Sequence, residues 1–186
     1  MQKILKYTIF KTEWGYFGLA GVENTLCRTC LPMPKPEKVK LELFKNQSVV
    51  NKKSSIEHPV SRIEYDKKFL KPLQEQVTAY FEGNCVNFSR NISVKLDGFG
   101  SFIRSVLTTC RNIKFGQAIT YLSLAKRLSR PAAARAVGNA LAKNPMPLII
   151  PCHRVIRNDG KLGGFSAPGG KSLKAKLLQH EHTIDA

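Results

Sequence analysis

One short segment carries the residues best suited to covalent chemistry. Cys152 is followed directly by His153 and Arg154, and the apolar run of residues 148–151 precedes it. A free thiol with a pKa of about 8.5 is mostly protonated at neutral pH, so a nucleophilic cysteine needs a base and positive charge beside it. An apolar run that delivers a cysteine next to a histidine and an arginine favours an activated thiol. A buried cysteine beside an incidental histidine is the alternative.

A second candidate is an arginine on a helix of very small residues, Pro131 to Leu141. At helical spacing Arg135 points outward between Ala134 and Gly138. A major-groove reader would carry several long polar side chains on that face, whereas one arginine on a bare surface suits a narrower groove. From this helix alone, a solvated arginine is the simpler interpretation. The residues predicted to pack inward are Ala133, Ala136, Val137 and Ala140.

The elements that must position these residues are mainly helices. Residues 102–111 repeat apolar side chains at helical spacing, and a second helix is predicted to begin at Thr120, a good N-cap. A short break leads to Pro131, which is favoured at the first helical position, and a third helix is predicted over 131–143. Two helices with so short a break form a helix-turn-helix pattern, in which the third helix takes the recognition position.

The first half of the chain predicts a small sheet and one helix. Residues 4–31 are rich in β-formers and predict a three-stranded meander, which Pro32 ends because proline cannot donate to a ladder. Residues 35–62 are lysine-rich and polar, so we expect an exposed connection there. Apolar residues recur at helical spacing over 66–82, which predicts an amphipathic helix.

Length and charge limit the class of protein. The chain has 186 residues, enough for one domain or two small ones, and a glycine-containing turn at 97–100 predicts a boundary between residues 1–95 and 96–186. The net charge of +17 indicates a polyanionic partner, nucleic acid first and an anionic membrane second. Residues 96–186 hold 14 basic and 4 acidic side chains, a net +10. We therefore expect this half to bind phosphates.

The cysteines and the apolar content predict the compartment. No apolar run approaches the roughly 20 residues of a membrane span, and the first residues lack a secretory signal. Five widely spaced cysteines favour free thiols in a reducing interior. We expect a cytoplasmic protein, or a nuclear one if the source is eukaryotic, with no membrane partner. Cys27 and Cys30 have the spacing of a zinc pair but no second pair, so no metal is predicted.

The wider segment around Cys152 resembles one protein family. Pro-Cys-His-Arg-Val at 151–155 follows Asn144-Pro145 and precedes a glycine-rich stretch with Phe165. This pattern is similar to that of the O6-alkylguanine-DNA alkyltransferases, also called methylated-DNA–protein-cysteine methyltransferases, and the similarity covers about residues 99–181. The resemblance implies an α+β protein. Its N-terminal domain would be an RNase H-like antiparallel sheet plus a helix, and its C-terminal domain would be winged-helix-like with the helix-turn-helix.

The resemblance also implies a role for each residue of the reaction. Cys152 would take the alkyl group from guanine O6, once and irreversibly. His153 would accept the thiol proton through a water, and Glu181 would orient that histidine. Tyr121 would donate to the ring nitrogen of the leaving guanine. Asn144 would brace the turn that carries the thiol.

On the DNA side, the resemblance implies that Arg135 fills the gap left by a flipped-out nucleotide. Ala134, Gly138 and Tyr121 would lie beside it in the minor groove. The implied partner is double-stranded DNA that contains O6-alkylguanine, bound by a monomer without a cofactor. The residues implied in the pocket for the base are Val155, Phe165 and Ser166.

Three other classes compete with this interpretation. A non-catalytic binder of alkylation damage would lack the nucleophile, which Cys152 supplies. A helix-turn-helix regulator of transcription would not need the Pro-Cys-His-Arg sequence and should carry more base-reading side chains. A Cys-His hydrolase would need an oxyanion hole, and its cysteine and histidine are usually distant in sequence.

Overall fold

The computed structural model describes residues 3–45, 60–88 and 92–182. The chain divides into two compact units, Met1–Phe99 and Gly100–Ala186. Strands and helices occur together, so the predicted α+β class is confirmed. Among the described residues, no helix combines the length and the hydropathy that crossing a lipid bilayer requires.

The first unit is built on a five-stranded sheet in the order β4-β1-β2-β3-β5. Strands β1 to β3 form the predicted antiparallel meander. However, β4 pairs parallel with β1, and β5 pairs parallel with β3, so the sheet is mixed rather than antiparallel. Parallel pairs join segments distant in sequence, which local alternation does not reveal. The strands are β1 (Lys3–Thr12), β2 (Gly15–Val22), β3 (Thr25–Met33), β4 (Val60–Tyr65) and β5 (Ser93–Val94).

Strand β3 continues through Pro32, where the sequence predicted a stop. Met33 still pairs with Tyr16 of β2. On its other side β3 pairs with β5 only at Thr25 and Leu26. Pro32 therefore lies on an open edge, where a missing backbone N–H interrupts no ladder.

The expectation of an exposed connection over 35–62 is wrong at both of its ends. Helix α1 (Pro36–Phe44) begins directly after a lysine, and strand β4 occupies the last residues of the range. Val39 and Leu43 of α1 are buried against the sheet. Val39, Leu41 and Leu43 alternate with charged residues along the sequence, and this spacing does not indicate a helix. Residues 46–59 lie outside the described residues.

Helix α2 (Lys71–Phe81) occupies the other face of the sheet. The prediction was 66–82, but the helix begins later because Leu70 adopts a left-handed conformation with φ of 50°. Phe81 packs on Phe17 with 6.0 Å between ring centroids. Successive residues of β2 face α1 and α2 in turn, so the first unit has buried layers on both sides of its sheet.

The second unit is mainly helical, as predicted. Helices α4 and α5 form the helix-turn-helix, and α3 packs against both. A parallel pair of two-residue strands, β6 and β7, lies beside them. The elements are α3 (Ser101–Cys110), β6 (Ile119–Thr120), α4 (Tyr121–Arg127), a 3-10 turn (Pro131–Ala133), α5 (Ala134–Leu141), a second 3-10 turn (Cys152–Arg154), β7 (Val155–Ile156) and α6 (Gly170–His180).

The β6–β7 pair joins the start of α4 to the turn that carries Cys152. Ile119 lies opposite Val155 in this pair. Thr120 then caps α4, because its Oγ1 accepts a hydrogen bond of 3.0 Å from the backbone N–H of Ser123, and the predicted cap is confirmed. Tyr121 is the first helical residue after the cap. Tyr121 therefore comes directly after β6, and β6 pairs with β7, the strand that follows the reactive turn.

Candidate active site

The loop that leads into Cys152 is buried and strained. Met146 and Ile150 are fully buried, and the N–H of Ile150 donates to the carbonyl of Met146 at 2.9 Å. Between them, Leu148 adopts φ of 77° although it is not glycine. Such a conformation costs of order 1–3 kcal/mol and persists where the surrounding packing determines it. The apolar run thus packs into the core and presents the thiol on a rigid support.

Asn144 stabilises this loop through both the oxygen and the nitrogen of its side-chain amide. Its Oδ1 accepts from the N–H of Met146 at 3.0 Å, which fixes the orientation of the amide. Its Nδ2 donates to the carbonyl of Ile150 at 2.8 Å and to Sγ of Cys152 at 3.1 Å. The asparagine therefore holds the turn and places a hydrogen-bond donor on the sulphur.

The Cys152 side chain is nearly buried, with 8% of the residue exposed. Burial raises the pKa of the thiol, while the hydrogen bond from Asn144 and the positive charge of Lys174 oppose that rise. The raised pKa means that the cysteine rests as a neutral thiol. Positive neighbours alone do not supply the thiolate, so a base must remove the proton.

His153 is a buried imidazole hydrogen-bonded to a buried carboxylate. Its Nε2 lies 2.9 Å from Oε1 of Glu181, and both side chains have no exposed surface. Burial lowers the pKa of His153 and outweighs the opposing effect of Glu181. Burial raises the pKa of Glu181, but hydrogen bonds from His153 and Arg154 outweigh it and lower that pKa to about 2. The histidine is thus neutral beside an ionised glutamate.

This pairing determines which nitrogen of His153 is basic. An ionised carboxylate only accepts hydrogen bonds, so Nε2 must carry the hydrogen that points to Glu181. The lone pair then lies on Nδ1, which is buried and has no hydrogen-bond partner among the described residues. His153 consequently presents an unoccupied basic nitrogen inside the site.

Arg154 has a role that the sequence did not predict. We expected it to be a positive neighbour of the thiol, but its guanidinium pairs with Glu181 through Nε at 2.8 Å and Nη2 at 2.9 Å. Its Nη1 donates to the carbonyl of Ile113 at 2.6 Å. Such a two-pronged pair fixes a carboxylate in place. Arg154 therefore locks the glutamate that orients His153.

Lys174 is a second site residue that sequence reasoning missed. It is fully buried in α6, and its Nζ donates to the carbonyl of Val155 at 2.6 Å. The spacing of α6 could have revealed it, because Lys174 shares one helix face with Leu177, Leu178 and Glu181, at i, i+3, i+4 and i+7. A lysine on a buried face needs a polar partner inside the protein.

The glycine-rich loop, residues 160–170, closely approaches the phenol of Tyr121. A Cβ added at Gly163, whose φ is 73°, would lie 2.8 Å from the Tyr121 hydroxyl. Tyr121 is half-buried, and burial raises its pKa, so it is a protonated donor at neutral pH. In the same loop Phe165 is half-buried and Ser166 is exposed.

The buried face of α5 differs in part from the prediction. Val137 and Ala140 are buried as predicted, but Ala136 is exposed and Ala133 is only half-buried. The reason is the 3-10 turn over Pro131–Ala133, which has three residues per turn and shifts the phase of the helix that follows. A single helical wheel over the whole segment could not include that shift.

Arg135 is exposed, as the sequence predicted. Ala134 and Gly138 are half-buried rather than open. Gly138 faces α4, since a Cβ there would lie 3.6 Å from the ring of Tyr121. The small residue at 138 thus lets the two helices approach. The exposed side chains on this part of α5 are Arg135, Ala136 and Asn139.

No metal site is built by the part of the chain that the structure describes. No group of three or more histidine, cysteine, aspartate or glutamate side chains comes together there. Cys27 and Cys30 are free thiols. Burial raises the pKa of Cys30 to about 12.

Comparison with known proteins gives one consistent result. The family model described as 6-O-methylguanine DNA methyltransferase, DNA binding domain, matches residues 101–183. The methylated-DNA–protein-cysteine methyltransferase of Methanosarcina acetivorans is 35% identical over 176 residues, which cover 94% of this chain and 97% of that protein. The rat protein of the same name is 50% identical over 82 residues, or 44% of this chain. That match spans 39% of the rat protein.

A solved structure resembles the fold over nearly its whole length. Mycobacterium tuberculosis OGT in complex with DNA has a TM-score of 0.72 and 26% sequence identity. The match covers 97% of this chain and 96% of that chain. The similarity therefore includes both units and is not confined to the segment around Cys152.

Proposed function

Because the chain belongs to the methylated-DNA–protein-cysteine methyltransferase family, we propose that it repairs DNA directly by moving an alkyl group from O6 of guanine to Cys152. One observation carries this proposal. The thiol of Cys152 is held by Asn144 in a rigid turn, next to a neutral His153 whose Nδ1 is basic and unpartnered among the described residues.

The first step removes the thiol proton. Nδ1 of His153 accepts it through a bridging water, and the imidazolium that forms is stabilised by Glu181, which is already ionised. Arg154 keeps the carboxylate aligned throughout. The hydrogen bond from Asn144 stabilises the sulphur as negative charge develops.

The second step is an in-line displacement at the alkyl carbon. A bond forms between Sγ of Cys152 and that carbon, while the bond from the carbon to O6 breaks and its electron pair stays on guanine. Tyr121 donates its phenolic proton to a ring nitrogen of the leaving base. The proton that His153 took from the thiol then returns to the Tyr121 oxygen through solvent. The products are a thioether and unmodified guanine.

DNA binding is assigned to the second domain, residues 96–186. In this proposal α5 of the helix-turn-helix binds in the minor groove of double-stranded DNA, and Arg135, which is exposed on that helix, enters the stack where the alkylated nucleotide is flipped out. Exposed Ala136 permits close approach of the helix, while half-buried Ala134 and Gly138 shape the groove beside Tyr121. A single copy of the chain contains all these groups, so we propose that it acts as a monomer.

The base pocket lies between the reactive turn and the glycine-rich loop. Val155 supplies backbone groups at its floor, Phe165 lies near the alkyl group, and Ser166 contributes at the rim. No cofactor is needed, because the thiol is both nucleophile and final acceptor. Since the substrate is chromosomal DNA, the protein acts in the cytoplasm of a prokaryote or the nucleus of a eukaryote.

A nucleoside analysis tests the proposal against a purely binding protein. Duplex DNA with one O6-methylguanine is incubated with wild-type protein or with Cys152→Ala and then digested to nucleosides. We expect O6-methylguanine to disappear and guanine to appear in equal amount with the wild type only. Both proteins should still retain the duplex in a binding assay. Retention without any restored guanine would support a damage-binding protein or a regulator instead.

A further inference from the structure

Lys174 is buried without a carboxylate partner among the described residues. None of its surface is exposed, although lysine is rarely buried completely. Its Nζ donates to two backbone carbonyls, Val155 at 2.6 Å and Gly164 at 3.5 Å. The same nitrogen lies 5.7 Å from the ring centroid of Tyr121. The ammonium therefore contacts three parts of the site at once.

The two carbonyls belong to separate walls of the pocket. Val155 directly follows the reactive turn, whereas Gly164 lies in the glycine-rich loop one residue beyond Gly163. Among the described residues, the two hydrogen bonds from Lys174 are the only side-chain hydrogen bonds that connect the reactive turn and Val155 with the glycine-rich loop. The spacing between the thiol and the loop is thus set by a side chain that comes from α6.

In the part of the chain that the structure describes, no carboxylate pairs with the ammonium of Lys174. The nearby buried carboxylate, Glu181, is paired with His153 and Arg154. The lysine's positive charge acts on Cys152, whose thiolate it favours. Burial lowers the pKa of Lys174 to about 8, so at neutral pH most molecules carry the ammonium.

We propose that Lys174 is a positioning residue for the alkyl-transfer step: its ammonium joins the Val155 and Gly164 carbonyls and leaves a positive charge that favours the thiolate of Cys152. The inference rests on the proposed function. The ammonium form of Lys174 is needed for both effects. It forms stronger hydrogen bonds to the two carbonyls than a neutral amine does, and only the ammonium carries the positive charge that favours the thiolate.

The first test compares Lys174→Met with the wild type on free O6-benzylguanine, which requires neither DNA binding nor nucleotide flipping. A pocket wall displaced by about 1 Å slows a reaction roughly 100-fold, and we expect a loss of that size in benzyl transfer to Cys152. Lys171→Met, an exposed lysine in the same helix, is the matched control and should react like the wild type. Melting curves show that each variant is folded.

The pH dependence separates a charged positioning residue from a side chain that only fills space. The groups facing Lys174 are Tyr121, Cys110 and Cys152, with raised pKa values, and His153, with a lowered one; the guanidinium of Arg154 also lies in the site, paired with Glu181. Lys174 is therefore the group expected to titrate near pH 8. The ratio of wild-type to Lys174→Met rates should fall as the pH rises from about 7 to about 9.5.

Each outcome decides the matter. Equal rates for the wild type and Lys174→Met, or a large rate ratio that stays constant with pH, would overturn the inference. If Lys174→Met does not fold, Lys174→Gln, which keeps an amide donor without the charge, should be slow and lack the pH-dependent ratio; a wild-type profile in it would also overturn the inference. The proposed function itself would be overturned by a wild-type protein that restores no guanine in duplex DNA containing O6-methylguanine. If methyl but not benzyl is transferred, the same rate ratio is measured on that duplex.

Discussion

At the scale of single residues, the site depends on one buried carboxylate with two partners. Glu181 aligns His153 and neutralises Arg154, and all three side chains are at most 3% exposed. Removing one member of a buried ion pair typically costs about 3–5 kcal/mol, because the other charge is left without a partner. The same contact therefore supports both the stability of the second unit and the tautomer that the chemistry needs.

The pKa of Glu181 predicts how stability depends on pH. Its folded-state value of about 2 lies below the ordinary 4.5, so the unfolded chain binds this proton more readily. The stabilising contribution is present above pH 4.5 and is lost as the pH falls toward 2, and it amounts to about 3 kcal/mol. Urea unfolding across this range should show a larger acid-dependent loss of stability in the wild type than in Glu181→Gln, which keeps only the part due to other carboxylates such as Asp66.

The control for that measurement is Asp159→Asn. Asp159 pairs with Arg157 at 3.0 Å on the surface, where ion pairs contribute little. Its acid-dependent loss of stability should match the wild type. If Glu181→Gln instead retained the full wild-type pH dependence, the assignment of a low pKa to Glu181 would be wrong.

At this scale, the sequence predicted which residues meet in the site where a family motif names them. The structure brings Cys152, His153, Asn144 and Glu181 together, as the resemblance implied, although their chemical roles stay predictions. It did not predict the partners of Arg154. Those depend on packing that brings Glu181 and the Ile113 carbonyl to one place, which no local spacing encodes.

At the scale of elements, the glycine-rich loop and α4 meet at Gly163. Gly163→Ala adds a Cβ only 2.8 Å from the Tyr121 hydroxyl, so the loop or the phenol must move, and we expect slower transfer from free O6-benzylguanine. Gly160→Ala is a matched control, because its φ of 76° imposes similar backbone strain while its Cβ would meet nothing within 4 Å. Equal rates for the two variants would show that contact with Tyr121 does not matter.

The recognition helix gives a second prediction at this scale. Arg135→Ala should slow repair of duplex DNA by roughly tenfold or more, because the vacated stack is no longer filled, and should leave free O6-benzylguanine unaffected. Lys143→Ala, which removes an exposed charge just after the same helix, controls for lost phosphate attraction. An equal loss on both substrates for Arg135→Ala would argue against insertion into the stack.

Elements were predictable where the signal was local. The Thr120 cap and the helix-turn-helix follow from residues within a few positions of each other. The parallel strand β4 and the phase of α5 were not predictable in this way. The first depends on a partner strand distant in sequence, and the second on a 3-10 turn that no periodicity distinguishes from an α-helix.

At the scale of the whole molecule, we expect each protein molecule to react only once. A thioether on Cys152 has no leaving route, because no second nucleophile in the described site is placed to remove the alkyl group. Cys110, the other buried thiol near it, has a pKa that burial raises well above the usual value, and no hydrogen bond from a donor such as Asn144 is described on its sulphur. Repair capacity should therefore equal the number of protein molecules.

The intact mass of the protein after exposure to excess duplex DNA containing O6-methylguanine shows directly whether Cys152 accepts the alkyl group. We predict that every active molecule gains one methyl group and that peptide mapping places it on Cys152, with none on the exposed Cys85. Restored guanine should stop accumulating at one equivalent per protein. An unchanged mass, a methyl group on another residue, or continued turnover beyond one equivalent would contradict the account.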